Sequence, residues 1–284
     1  MTLLSLRQGR LALDLAPSAG GSIARFAIDG QDVLRPMSSE AVASGKGNNS
    51  SAFPLVPYSG RIANGRLSFE GKEIVLQPNW PGLRHPMHGD GWAQPWTVVR
   101  HDGASAELVY EHDGKCGWPF RYRARQTFGL EDDRLTVAMA LDNLEPREVP
   151  GGMGLHPFFT RDADTELTCR TAAVWLTDAE VLPIRRVPVP PDWDFSRSRK
   201  VDDVVVDNCF DGWDGRATIV WPHRRRRLGL SASESFRHLV IFAPPKQTFF
   251  CVEPASHANG KVGETRLAPG ATLAGEIVFH LSDL

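Results

Sequence analysis

No apolar run in this 284-residue chain approaches the roughly 20 residues that a membrane-spanning helix needs. The opening Met1-Thr2-Leu3-Leu4-Ser5-Leu6-Arg7 lacks the long apolar core of a secretion signal, and Arg10 and Asp14 interrupt the next segment. A cytoplasmic protein is expected. Cysteine is scarce, and Cys116, Cys169, Cys209 and Cys251 stand far apart, no two at the spacing of a zinc knuckle or redox motif. Their apolar or strand-like neighbours lead us to expect buried, reduced thiols. Neither sign of charge dominates: 32 Lys and Arg stand against 34 Asp and Glu, a net charge of -2. That balance gives no support to a polyanion-binding surface. The one basic run, Arg224 to Arg227, lies between Trp221-Pro222-His223 and Leu228-Gly229-Leu230 and reads as a solvated hairpin end.

Helical periodicity is scarce too. Short alternating segments bounded by Gly, Pro, Asn and Asp recur instead, the pattern of an antiparallel β protein. Phe120, Tyr122, Ala124, Gln126 and Phe128 alternate with Arg121, Arg123, Arg125 and Thr127. After the acidic turn Glu131-Asp132-Asp133 the pattern resumes at Leu135, Val137, Met139 and Leu141. Such alternation implies a sheet with one polar face. Further strands are expected at 11–15, 22–28, 96–100, 106–111, 166–169, 174–177, 217–221, 228–232, 239–243, 249–252 and 274–281, with a hairpin over 67–76. Residues 38–51 are small and polar and read as a loop. The Pro-rich stretch 183–194 resembles a linker, but strands of one character flank it. An all-β, large twisted antiparallel β-sandwich in one domain over residues 1–284 is expected.

Three stretches carry the candidate chemistry. Pro86-Met87-His88-Gly89-Asp90-Gly91-Trp92 sets an imidazole among glycines, a carboxylate and an indole. Glycine allows close backbone approach to a ligand, and Trp offers a flat apolar face, a mixture suited to sugars. Gly89 and Gly91 are expected to leave the His88 ring accessible, whereas His85 reads as capping a loop. A metal role for this pair would need a third ligand that the sequence does not single out. His156, between glycines and Pro157-Phe158-Phe159, is either a buried histidine satisfying backbone groups or a general acid whose pKa is tuned by desolvation and a carboxylate. Glu253, placed at the end of an apolar strand, is either an ion-paired strand end or a general base raised by partial burial. Arg61 is either a plain surface arginine or a fork onto sugar hydroxyls, and Asp207 either an Asx-type turn or an acceptor for vicinal hydroxyls.

In order along the chain, Phe53-Pro54-Leu55-Val56-Pro57-Tyr58-Ser59-Gly60-Arg61-Ile62, His85-Pro86-Met87-His88-Gly89, Asp207-Asn208-Cys209-Phe210, and the stretches around His156 and Glu253 resemble the aldose 1-epimerase (galactose mutarotase) family. The resemblance implies a galactose mutarotase-like β-supersandwich and no cofactor, and the residues themselves give no reason to expect a metal. It also implies Glu253 as general base, His156 as general acid, His88 as a second histidine near the ring oxygen, and Arg61 and Asp207 as substrate-binding residues. Gly60 stands where relatives commonly have Asn before the Arg, a departure expected to remove one sugar contact. The implied activity is interconversion of α and β anomers of a free aldose by a monomer or homodimer, with no nucleic-acid or membrane partner. The rivals are a hexose-phosphate epimerase of the same fold, which needs a cationic pocket, and a non-catalytic carbohydrate-binding protein. A glycosidase would need a second carboxylate facing Glu253, for which Asp207 is the candidate. Glu253 and His156 are expected to face each other across a gap the width of one pyranose.

Overall fold

A computed structural model describes residues 2–80, 82–115 and 117–284, so the expectation for Cys116 lies outside the described residues. Among these residues the strands form an 11-stranded and a 9-stranded antiparallel sheet, with two short two-stranded ribbons. The strands Tyr122–Glu131 and Arg134–Asn143 pair in the smaller sheet as the alternation predicts. Tyr122, Ala124, Gln126, Phe128 and Leu130 are buried on one face. Gln126 is tolerated there because its Nε2 donates to the Gly21 carbonyl at 2.9 Å. One apolar cluster runs between the sheets: Phe279 of the smaller sheet meets Phe26 and Phe159 of the larger, each with ring centroids 6.1 Å apart.

The strands that matter most for the site were not all legible. In the larger sheet Ala52–Leu55, Gly154–Thr160, Phe249–Ala255, His238–Ala243 and Val206–Asp211 lie side by side in that order. Every residue of Ala52–Leu55 and nearly every residue of Gly154–Thr160 is buried, so neither strand alternates in polarity. Their second face is roofed by loops and packs a separate apolar cluster of Phe53, Leu55, Trp92, Phe158 and Cys251. The expected loop at 38–51 needs correction: Ser39–Ser44 is a short helix. Ser38 caps it by accepting from the Ala41 amide at 3.2 Å, and Gly45 ends it at φ 68°. The Pro-rich stretch supplies an edge strand, Pro183–Pro188, where missing amide donors cost the ladder least.

The basic run closes the hairpin between Arg216–Trp221 and Arg226–Ala232. Arg224 ion-pairs with Asp162, and Arg226 with Asp283 and Asp29. Cys169, Cys209 and Cys251 are buried and free. Among the described residues no helix is long and apolar enough to cross a membrane.

Behind the loop that carries His88, Asp90 is the hub of a polar network. It accepts from Tyr110 Oη at 2.7 Å and Tyr122 Oη at 2.6 Å, and lies 3.0 Å from His112 Nδ1. Burial opposes charge on His112, but Asp90 outweighs it and the imidazole pKa is raised. Removing the hub would leave Tyr122 Oη without its acceptor, while Tyr110 Oη and His112 Nδ1 keep each other at 3.2 Å, so Asp90→Ala is expected to cost about 2 kcal/mol or more. Denaturant unfolding at neutral pH measures it, and a loss below about 1 kcal/mol would show that the network contributes little.

Candidate functional site

The strand registers Gly154↔Ala255 and Phe158↔Cys251 bracket His156 and Glu253, which makes them cross-strand neighbours on one face. His156 Nε2 lies 3.2 Å from Glu253 Oε1. That distance corrects the expected gap: no sugar ring fits between them, and they stand side by side on one wall. Glu253 also lies inside its strand rather than at the end, and is 2% exposed. Across the next strands the same face carries Val240, opposite Glu253, and Phe242, opposite Asp207. Asp207 is therefore a strand residue, not part of an Asx turn.

This face is the floor of a cleft of about 320 Å³. Arg61, His88, His156, Asp207 and Glu253 all line it, the five residues singled out from sequence. Its volume sits at the small end of ligand sites, which run from about 300 to 1,000 Å³, and suits one sugar ring. Arg35, Asn48, Asn49 and Trp80 line it as well and had not been singled out; Asn259 lines it from the loop 256–260 that follows Glu253, a stretch its sequence position marks as the rim of that carboxylate. The helix just before the two asparagines left a signal, Ser38 and Gly45 in capping positions. Trp80 and Arg35 left none, since only the fold brings them here.

The His156 ring is stacked against two phenyl rings, Phe53 at 4.6 Å and Phe158 at 4.5 Å, with interplanar angles of 24° and 25°. Burial lowers its pKa to about 3, and the nearby Arg35 charge acts in the same direction. Burial raises the Glu253 carboxyl well above its usual range; Asp207 adds to the rise and Arg61 opposes it. Asp207 is raised by its own burial, again against Arg61. In the cleft the low dielectric thus favours a carboxylic acid beside a neutral imidazole, with one proton shared by the pair.

Three further histidines hold the loop that carries Arg61. His257 Nε2 accepts from the Ser59 amide at 3.2 Å, His88 Nδ1 from Gly60 at 3.1 Å and His85 Nδ1 from Asn64 at 2.9 Å. His85 fixes this loop, as expected. The Gly60 amide requires His88 Nδ1 to be unprotonated, so a neutral His88 carries its proton on Nε2 and can donate. Burial, then the charges of His156 and Arg61, push the His88 pKa well down. His88 as a whole is 8% exposed, less accessible than its glycine neighbours suggested. Those glycines approach the chain rather than a ligand: a Cβ at Gly89 would meet the Val56 carbonyl oxygen at 2.0 Å. Trp92 likewise offers no open face, being 1% exposed behind Trp80.

Gly60 has φ +75°, and a Cβ there would lie 2.3 Å from Asn259 Oδ1. The carboxamide of Asn259 fills the space that a side chain at position 60 would enter, so the cleft keeps an amide from another segment. Cys251 Sγ joins His156 and Glu253 in a trio whose donor atoms lie within 4.8 Å of one another, close enough to consider a metal ion. Burial and the neighbouring Glu253 drive the thiol pKa far up, and an un-ionised thiol is a poor ligand.

An antiparallel sandwich with a carboxylate and an imidazole adjoining at the floor of a small polar cleft has the galactose mutarotase-like fold. The chain belongs to the aldose 1-epimerase family, whose sequence profile matches residues 2–280. It is 33% identical to the uncharacterized protein YphB of Escherichia coli K12, over 99% of both chains. The crystal structure of a proposed aldose 1-epimerase from Escherichia coli K12 superimposes with a TM-score of 0.91 at 31% identity, over 100% of this chain and 99% of that one. An aldose 1-epimerase of Escherichia coli K12 is 26% identical over 48% of this chain and 39% of its own length.

Proposed function

We propose that this chain is an isomerase, a cofactor-independent aldose 1-epimerase that binds a free sugar and interconverts its α and β anomers. The observation that carries the proposal is the 3.2 Å contact between His156 Nε2 and Glu253 Oε1 at the cleft floor. In a cyclic hemiacetal the anomeric hydroxyl and the ring oxygen are bonded to one carbon. A base and an acid that stand side by side can reach both from one edge of the ring.

A hydroxyl donated by the sugar, together with the Arg61 guanidinium, favours the ionised carboxylate, and the shared proton moves to His156. Glu253 then takes the proton of the anomeric hydroxyl. The O–H electron pair forms the C1 carbonyl, and the C1–ring oxygen pair leaves onto oxygen, which takes a proton from His156 Nε2. Rotation about the C1–C2 bond presents the other carbonyl face, and the reversed transfers close the ring as the opposite anomer. Paired transfers of this kind supply a substantial share of the acceleration. His88 donates from Nε2 toward the ring, while Arg61 and Asp207 hold hydroxyls. Polarimetry on freshly dissolved α-D-glucose and α-D-galactose, with and without the protein, tests the reading across a panel of aldoses. If every aldose in the panel drifts at the spontaneous rate, the reading fails.

A further inference from the structure

A histidine in acid–base chemistry is ordinarily oriented by a hydrogen bond at the ring nitrogen that does not react. His156 lacks that restraint. Its Nδ1 is buried and, among the described residues, meets no partner beyond the carbonyl of its own residue. At Nε2, the contact with Glu253 must loosen and re-form as protons move. What fixes the ring is therefore its faces, on which Phe53 and Phe158 stack. Phe53 lies wholly buried inside its strand. Phe158, two residues past His156, borders the cleft and needs a support of its own.

Arg35 supplies it. The guanidinium lies over Phe158 at 4.1 Å and over Phe249 at 4.6 Å, two rings that meet edge to face at 5.2 Å. Phe249 belongs to the strand of Glu253, so one planar cation spans both strands of the reacting pair. Its Nη2 donates to the Ser50 carbonyl at 3.1 Å. The backbone is tied to the same place: the Arg35 amide donates to the Phe158 carbonyl at 2.8 Å, and the Arg35 carbonyl accepts from Ser51 Oγ at 2.7 Å. The Phe158 amide in turn donates to the Ser51 carbonyl at 2.9 Å. We infer that Arg35 is a positioning residue: through Phe158 it holds the His156 ring in the plane that aims Nε2 at Glu253 and at the ring oxygen of a bound sugar. The aim at the sugar rests on the epimerase reading; the stack does not. Acting through another ring, Arg35 serves turnover rather than affinity. Its charge has a second consequence. Burial and the nearby cation both oppose protonation of His156, so the imidazolium formed during ring opening surrenders its proton more readily to the leaving oxygen.

Polarimetry on α-D-glucose and α-D-galactose gives kcat and KM for the parent, Arg35→Met and Arg35→Lys, and NMR of the histidine side chains reads the His156 ring directly. The other ionisable groups about that ring, Glu253, Cys251 and His88, are unchanged in these variants. Arg35→Met keeps an apolar stem over the phenyl rings but neither plane nor charge. It is expected to lower kcat about 10- to 100-fold with KM within about three-fold of the parent. Its His156 signals are expected to shift and to titrate at higher pH than in the parent. Arg35→Lys, which returns a cation to the ring face, is expected to recover part of both changes. Should Arg35→Met fold poorly, Arg35→Lys decides, with a fall in kcat of at least about three-fold expected. An unchanged kcat, or a loss carried by KM alone, would overturn the inference, the latter by making Arg35 a substrate contact. If the parent exchanges no sugar, the epimerase reading falls and the NMR arm decides alone: an unmoved His156 ring overturns the inference, and a reoriented one supports it.

Discussion

Glu253→Gln is expected to slow anomer interconversion by about 1,000-fold or more, while sugar affinity stays within about ten-fold of the parent. The amide keeps the shape and hydrogen-bonding reach of the carboxyl group but cannot accept the anomeric proton. It also removes an ionisable group that burial and Asp207 hold far above its ordinary range. The variant should therefore be no less stable than the parent, because a strained ionisation equilibrium has been taken out of the interior. Polarimetry, calorimetry and thermal unfolding on one preparation separate the three effects. Full activity would remove Glu253 from the chemistry. Lost activity with a lowered melting temperature would instead indicate a structural role.

Acidification from pH 7 to about 4.5 is expected to lower stability by on the order of 3 kcal/mol, before most surface carboxylates titrate. The folded protein keeps its key imidazoles neutral: burial lowers His156 to about 3 and His257 to about 4, and places His88 well below 6.5. In the unfolded chain the same groups protonate near pH 6.5. Between those values the unfolded state binds more protons, so stability rises with pH. The contribution is full above about 6.5 and is lost as pH falls toward the folded values. Two groups work the other way. Glu253, with its raised pKa, is relieved of its cost in acid, and His112, raised by Asp90, gains its ion pair when protonated. The histidines outnumber them. Denaturant midpoints at pH 7 and 4.5 measure the balance, and His257→Asn should remove most of the net slope. An unchanged midpoint would mean that these rings ionise freely in the fold.

Protonation at His257 or His88 would also replace an acceptor by a donor aimed at the amides of Ser59 or Gly60. The loop carrying Arg61 would then lose its restraints before the sandwich unfolds. Acid inactivation is accordingly expected to begin as a rise in KM.

The antiparallel class was legible wherever a strand has one buried and one wet face, as in residues 122–131, because alternation at period two records that difference. It faded where both faces are covered. Ala52–Leu55 and Gly154–Thr160 read as apolar motifs rather than as strands, since the sandwich core covers one side and the cleft loops the other. The site residues stood out for a related reason. An ionisable group among stiff apolar neighbours, as at His156 and Glu253, has few roles in a fold unless something polar meets it there.

Sequence alone determined the β architecture, the order of the motif stretches and the identity of five residues that line one cleft. Tertiary structure decided how they are arranged. The pairing of strands 154–160 and 249–255 puts His156 beside Glu253 instead of across a sugar, because the contact depends on register between segments about a hundred residues apart. The same holds for Arg35 and Trp80. Each is inconspicuous in its own segment and acquires a role only from neighbours that the folded chain brings to it.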